Sequence, residues 1–281
     1  MIRTIAIFAT TICALAQGNP DWIKPFPAHR VIGNVYYVGT YDLACFLITT
    51  PKGNILINTG AGGSAPMIQS SIESLGFKLK DTKILLTTQA HYDHVAAMAE
   101  MKRLTGAKFL ATDGDAPVLE DGGKSDPLFT SPESKFAPVK VDGRIKDGQK
   151  ISLGGTELTA YSHPGHTRGS ASYGLTVLEN GRNYRVLIAN MGSINPGTVL
   201  IGNKKYPQIA DDYARTFREQ KKLECDIFLS SHASQYQLHD KWKPGQAYSP
   251  DTFVDPKGYK AAVGQAEAAY NEWLAKEKGS R

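Results

Sequence analysis

Gln89-Ala90-His91-Tyr92-Asp93-His94 follows directly on Lys83-Ile84-Leu85-Leu86-Thr87, an apolar run that reads as a buried strand. Loops at the C-terminal ends of strands are where α/β architectures carry ligand-binding side chains. Two imidazoles and a carboxylate within four residues are the donor types that zinc accepts besides thiolate. His91 and Asp93 are two apart, and Asp93 and His94 are adjacent. On an irregular turn that spacing aims neighbouring side chains at two points a few ångströms apart, which a regular helix would not allow. A lone histidine is usually a packed or solvated polar group; three donors in so short a run point to a metal.

Two further histidine loops follow strand-like segments. His163-Pro164-Gly165-His166-Thr167 comes after Leu158 to Ser162, and its Pro-Gly pair enforces a sharp turn that can aim one imidazole inward. His232 ends a third apolar run in Leu229-Ser230-Ser231-His232-Ala233. Five of the seven histidines thus lie in three post-strand loops. The other two, His29 and His239, read as surface residues.

Around these loops the chain alternates strands and helices. Strands are expected at Val31 to Val38, Ala44 to Thr49 and Asn54 to Ile57, then a helix capped by Ser64 and stopped at Gly76. The strand before Gln89 is followed by a helix over Ala97 to Leu104 and a strand at Lys108 to Ala111. The second half offers strands at Val139 to Ile145, Lys150 to Leu153, Glu157 to Ser162, Ser172 to Val177 and Tyr184 to Ile188. A helix over Ile209 to Leu223, a strand at Asp226 to Ser230 and a helix over Gly258 to Lys276 complete it. Two sheet-forming halves with helices outside predict an α/β fold, a four-layer αββα sandwich.

The chain has 281 residues, 41% hydrophobic and 21% charged, enough for one well-filled core. Arg3, the apolar stretch Thr4 to Cys13 and Ala14-Leu15-Ala16 stand in the order of a secretory signal, so residues 1–16 are expected to be removed and 17–281 to form one domain. That order predicts a secreted protein, periplasmic in a bacterium with an outer membrane. No stretch reaches the ~20 apolar residues of a membrane span, so no membrane association is expected after signal removal. The net charge of +5 is spread thinly, with no basic block interleaved with aromatics, which argues against nucleic-acid binding. Cys45 and Cys225 remain after Cys13 leaves; an exported domain permits a disulfide between them, and two buried free thiols are the alternative. A monomer is expected.

With the histidine loops in place, the chain resembles the metallo-β-lactamase superfamily, whose hallmark is HxHxDH followed by two later single histidines. The order and spacing run from about Val31 to His232, and Asn58-Thr59-Gly60 resembles the family's DTG turn with Asn in place of Asp. Carried over, the resemblance implies one zinc site at Gln89, His91 and His166 and a second at Asp93, His94 and His232. His163 is not a usual ligand and is expected to act from the turn. Gln89 stands where the family usually has His, and an amide oxygen is a much poorer zinc donor than imidazole. The first site is therefore expected to be weak and the second tight. This substitution is similar to the GOB-type enzymes of the third subclass of class B β-lactamases.

Tyr36 to Ala44, Gly122 to Asp126 and Ser231 to Gln235 fit that group as well. Near Met191, many dinuclear relatives carry a bridging Asp and the first two β-lactamase subclasses a Cys; a thioether replaces neither. The resemblance implies a zinc-dependent β-lactamase that opens the lactam amide with a metal-activated water, Asp93 being catalytic as well as a ligand. Its partner is a small-molecule β-lactam, with Ser193 hydrogen-bonding the substrate carboxylate and Thr198 on the same loop. Lys124 and Lys204 are further cationic candidates, read first as solvated lysines. A lactonase or thioesterase on the same fold is the alternative, and a non-catalytic zinc-binding protein a more distant one.

Overall fold

A computed structural model describes residues 19–279; the expected signal at 1–16 lies outside the described residues. The first half forms β1 (His29–Ile32), β2 (Val35–Tyr37), β3 (Phe46–Thr50), β4 (Gly53–Ile57), α1 (Ala65–Ser74), β5 (Thr82–Leu86), α2 (Tyr92–Val95), α3 (Met98–Thr105), β6 (Lys108–Thr112), α4 (Ala116–Glu120) and β7 (Gly143–Ile145). The second half forms β8 (Lys150–Leu153), β9 (Thr156–Ser162), β10 (Ala171–Glu179), β11 (Arg182–Ala189), α5 (Ile209–Gln220), β12 (Ile227–Ser230), α6 (Leu238–Lys241) and α7 (Pro256–Gly279). Strands β1 to β7 make one sheet in sequence order, and the second runs β12-β11-β10-β9-β8.

The layering follows from the two-residue period of the strands. Phe46, Ile48, Ile55, Ile57 and Leu86 point into the core between the sheets, where they meet Leu158, Tyr173, Leu175 and Ile188. Their neighbours Leu47, Leu56 and Leu85 point the other way, onto Ile68 and Ile72 of α1 and Met98 and Met101 of α3. Phe217 of α5 and Tyr259 and Val263 of α7 cover the outer side of the second sheet. The result is the expected αββα sandwich. Burying each of these large side chains contributes on the order of 2 kcal/mol.

Several boundaries differ from the sequence reading. The first expected strand is split by a turn at Gly33, whose φ of 50° favours glycine. Only Gly143–Ile145 of the Val139 to Ile145 run pairs with β6. Cys45 and Cys225 are both buried free thiols, so the disulfide does not form.

His29 corrects the surface expectation. It is 6% exposed and stacks on Trp242 with ring centroids 3.8 Å apart, because the N-terminal strand folds under the loop after α6. Burial lowers its pKa from 6.5 to about 4, although a hydrogen bond with the Pro27 carbonyl opposes this. The unfolded chain therefore binds this proton more readily than the folded one, and stability should fall as pH drops from 6.5 toward about 4. We expect His29→Phe to remove up to about 3 kcal/mol of that loss. Urea denaturation of both proteins at pH 7.5 and 4.5 measures it; equal pH dependence would refute the assignment.

Candidate metal centre

All three histidine loops leave strands at one end of the sandwich, and hydrogen bonds between the two sheets hold them there. The Thr88 hydroxyl meets the Ser231 hydroxyl at 2.8 Å, the Ala171 N–H donates to the Thr88 carbonyl at 2.8 Å, and Tyr173 Oη donates to the Thr87 carbonyl at 2.8 Å. The Ala44 N–H closes the ring on the Ser231 carbonyl at 2.9 Å. Asn58, fully buried with φ of 64°, organises the loop before Gln89. Its Oδ1 accepts from the Thr88 N–H at 2.9 Å and from the Thr88 and Thr87 hydroxyls at 3.1 and 3.3 Å, while Nδ2 donates to the Ala44 carbonyl. Asn tolerates the left-handed conformation better than most residues, which suits it to this turn.

The donors of the first loop are not on an irregular turn throughout. His91 is extended, with φ of −82° and ψ of 153°, and Tyr92–Val95 forms the short helix α2 immediately after it. This break in backbone direction sends His91 one way and the Asp93-His94 pair another. Asp93 Oδ2 lies 3.1 Å from His94 Nε2 and 3.4 Å from His232 Nε2, and one ligand atom from each of the three falls within 4.8 Å of the others. Separately, His91 Nδ1 faces His166 Nε2 at 3.2 Å, and Gln89 is buried.

The tautomers follow from the groups behind each ring. An ionised carboxylate can only accept, so His232 Nδ1 donates to Asp42 Oδ2 at 2.9 Å and leaves Nε2 facing Asp93. Asp42 is itself fixed by the Ser234 N–H and hydroxyl. His166 Nδ1 donates to the Ser193 carbonyl at 2.7 Å, an oxygen that also accepts from Tyr213 Oη at 2.9 Å. His91 Nε2 faces Asp126 at 3.5 Å. His91 Nδ1 and the Nε2 of His166 therefore converge on one another. Outer hydrogen bonds of this kind orient metal-binding histidines.

Electrostatics separates the two trios. Burial, reinforced by the neighbouring imidazole, keeps His91 well below its ordinary pKa, and burial takes His166 to about 4. Both are neutral and ready to donate. Burial would lower His232 too, but its bonds to Asp42 and Asp93 outweigh that and raise it to about 9. Burial alone would raise Asp93, yet His94 and His232 hold it well below the usual carboxylate range.

A divalent cation fits these residues. Gln89 Oε1 and His94 Nδ1 are buried without a hydrogen-bond partner, a cost of about 1–3 kcal/mol each unless a cation or water meets them, and His94 Nε2 faces the Asp93 carboxylate at 3.1 Å. Two ring nitrogens converging at 3.2 Å can likewise be shared by a cation. The donors are nitrogen and oxygen, which suits zinc.

The remaining candidates fall at different places. His163 is buried and bonded to the Ser172 hydroxyl at 2.7 Å, away from both trios. The Ser193 hydroxyl lies 3.3 Å from His166 Nδ1, and Thr198 lines a cavity of about 220 Å³ bordered by His91 and His166. A larger depression of about 870 Å³ lies on the outside of the second sheet, but no histidine lines it. Met191 is buried in the core, and Lys124 is exposed. His239, half-buried, stacks on Tyr41 instead of standing free at the surface. Sequence reasoning did not single out Asp42, Asp126 or Asp115. Asp115 accepts from the Thr167 hydroxyl at 2.9 Å and the Gly169 N–H at 2.8 Å, tying the His166 loop to α4. No spacing rule links Asp42 to His232 across 190 positions, so the stretch Tyr36 to Ala44 gave no sign of its role.

A trio of donors, Asp93, His94 and His232, with the close pair His91 and His166 at the same end of an αββα sandwich, makes a candidate metal centre of the metallohydrolase type. The comparisons agree. Residues 39–178 match the model of the metallo-beta-lactamase superfamily. The class B3 di-zinc metallo-beta-lactamase LRA-12 from an Alaskan soil metagenome is 50% identical, covering 91% of this chain and 97% of its own, with a TM-score of 0.88. The metallo-beta-lactamase GOB-18 from Elizabethkingia meningoseptica is 46% identical over 92% of this chain and 96% of its own, with a TM-score of 0.90. Among curated relatives, a hydroxyacylglutathione hydrolase from Rhodopseudomonas palustris (strain BisB5) is 27% identical over 129 residues, 46% of this chain. The chain spans about two fifths (41%) of that relative's length. The chain belongs to the metallo-β-lactamase superfamily, and within it is similar to class B3 enzymes.

Proposed function

We propose that this protein is a zinc-dependent β-lactamase that hydrolyses the lactam amide bond, with Gln89, His91 and His166 holding one zinc and Asp93, His94 and His232 the other. The observation that carries this reading is the donor set itself. The second trio is completed by His94, and the loop at Asn190 and Met191 contributes no carboxylate or thiolate. The 46–50% identity to class B3 enzymes over more than nine-tenths of the chain supports it, whereas the hydroxyacylglutathione hydrolase match covers under half.

When bound, zinc supplies a Lewis acid that polarises the carbonyl and brings the pKa of water down to about 7. The protein's part is to place and tune. Asp93, held ionised beside His94 and His232, is positioned to take the proton of the attacking water at its carboxylate. Asp42 and the Ser193 carbonyl fix His232 and His166 in their donating tautomers. Thr198 is placed to line the substrate's path. The order of charge and apolar residues in 1–16 supports export to the periplasm.

Nitrocefin hydrolysis, compared with lactone and thioester turnover with and without a chelator, tests the reading. Chelator-sensitive nitrocefin cleavage is expected, and thioester turnover alone would favour the hydroxyacylglutathione hydrolase side of the superfamily. The unequal donors also predict unequal affinity. After dialysis, metal analysis should find tight zinc nearer one than two per chain, and Gln89→His should tighten the weaker site by about tenfold or more. Two equally tight zincs in the wild type would contradict this.

A further inference from the structure

We propose that the cavity beside His91 and His166 is an anion-selecting subsite, favouring β-lactams that carry a second negative charge on an aromatic side chain. The proposal rests on the β-lactamase reading above. The cavity, about 220 Å³, is smaller than the ~300–1,000 Å³ of a complete drug-sized site, so it holds one substituent of a substrate and not the whole. Val199, Tyr206, Ile209 and Tyr213 give it apolar walls suited to a ring. Its rim is cationic: Lys204 and Lys205 line it with exposed side chains, and no carboxylate lines it.

The nearby acids lie behind the cavity and not on its rim, Asp126 against His91 and Asp115 against the Thr167 hydroxyl. Arg168, 5.4 Å over the Tyr206 ring, donates to the Lys205 carbonyl and so braces the segment that carries both lysines. The acid behind Tyr206, Asp212, accepts from Tyr206 Oη at 2.7 Å and pairs with Arg215 at 2.9 Å, so its charge is already engaged. Apolar walls below a cationic rim match a ring bearing an anion. They do not match a neutral ring or a bare carboxylate alone. A rim of one sign also draws in anionic substrates before contact, an effect that salt screens.

Benzylpenicillin and α-carboxybenzylpenicillin test this directly, because they differ only by a carboxylate on the benzyl carbon. In the wild type, raising the ionic strength should lower kcat/KM for the carboxylated compound more than for its parent. The Lys204→Met/Lys205→Met double variant should lower kcat/KM about tenfold for α-carboxybenzylpenicillin and less than about twofold for benzylpenicillin. Equal losses on both would place the lysines on the ring-fused carboxylate that both compounds share and overturn the proposal. No loss on either would show solvated lysines and overturn it too. A wild-type protein that cleaves neither penicillin would overturn the β-lactamase reading, and this proposal with it. Cleavage of benzylpenicillin with an unmoved ratio would overturn only the subsite.

Discussion

Asp93→Asn should lower kcat/KM on a β-lactam by roughly 10³-fold while the fold persists. The amide keeps the volume of the carboxylate but loses its charge, and that charge stands 3.1 Å from His94 Nε2 and 3.4 Å from His232 Nε2. The substitution removes a ligand and the proton acceptor together, which is why its effect should exceed that of altering a group further out. Elemental analysis should find zinc missing from the trio of Asp93, His94 and His232, with the circular dichroism spectrum unchanged. A variant that kept its zinc and lost less than about tenfold in turnover would remove Asp93 from the mechanism.

The second large effect is on stability. Asn58→Ala should destabilise the protein by about 3 kcal/mol, because it leaves the buried Thr88 N–H without an acceptor and puts a less tolerant residue at positive φ. For a domain of this size that corresponds to a fall in Tm of roughly 6 °C. Asn58→Asp keeps the acceptor for Thr88 and Thr87 and the tolerance of the turn, losing only the donation to the Ala44 carbonyl. It should therefore recover most of the loss. Thermal unfolding of the two variants side by side decides the matter; an alanine variant as stable as wild type would show that the loop before Gln89 does not depend on Asn58.

Local information in the chain is enough for the donors and the layers. Two-residue alternation in Phe46-Leu47-Ile48 and Ile55-Leu56-Ile57 dictates that both faces of the first sheet are covered, and so that helices lie outside it. Five histidines and Asp93 in post-strand loops declare a metal-binding end, because strand polarity alone puts those loops together. What stands behind the donors is set by contacts between distant segments. Asp42 reaches His232 only when the two sheets stack, while Asp126 faces His91 and the Ser193 carbonyl orients His166 through contacts between separate loops of one half. His29 lies under Trp242 because distant segments of the fold meet there, although a lone histidine outside the metal loops reads as a surface residue. Side-chain chemistry and period are properties of short stretches and were readable from Gln89 to His94 outward. Tautomer, charge state and the cationic rim at Lys204 and Lys205 depend on which atoms the folded chain brings within a few ångströms of one another, and only the tertiary structure decides that.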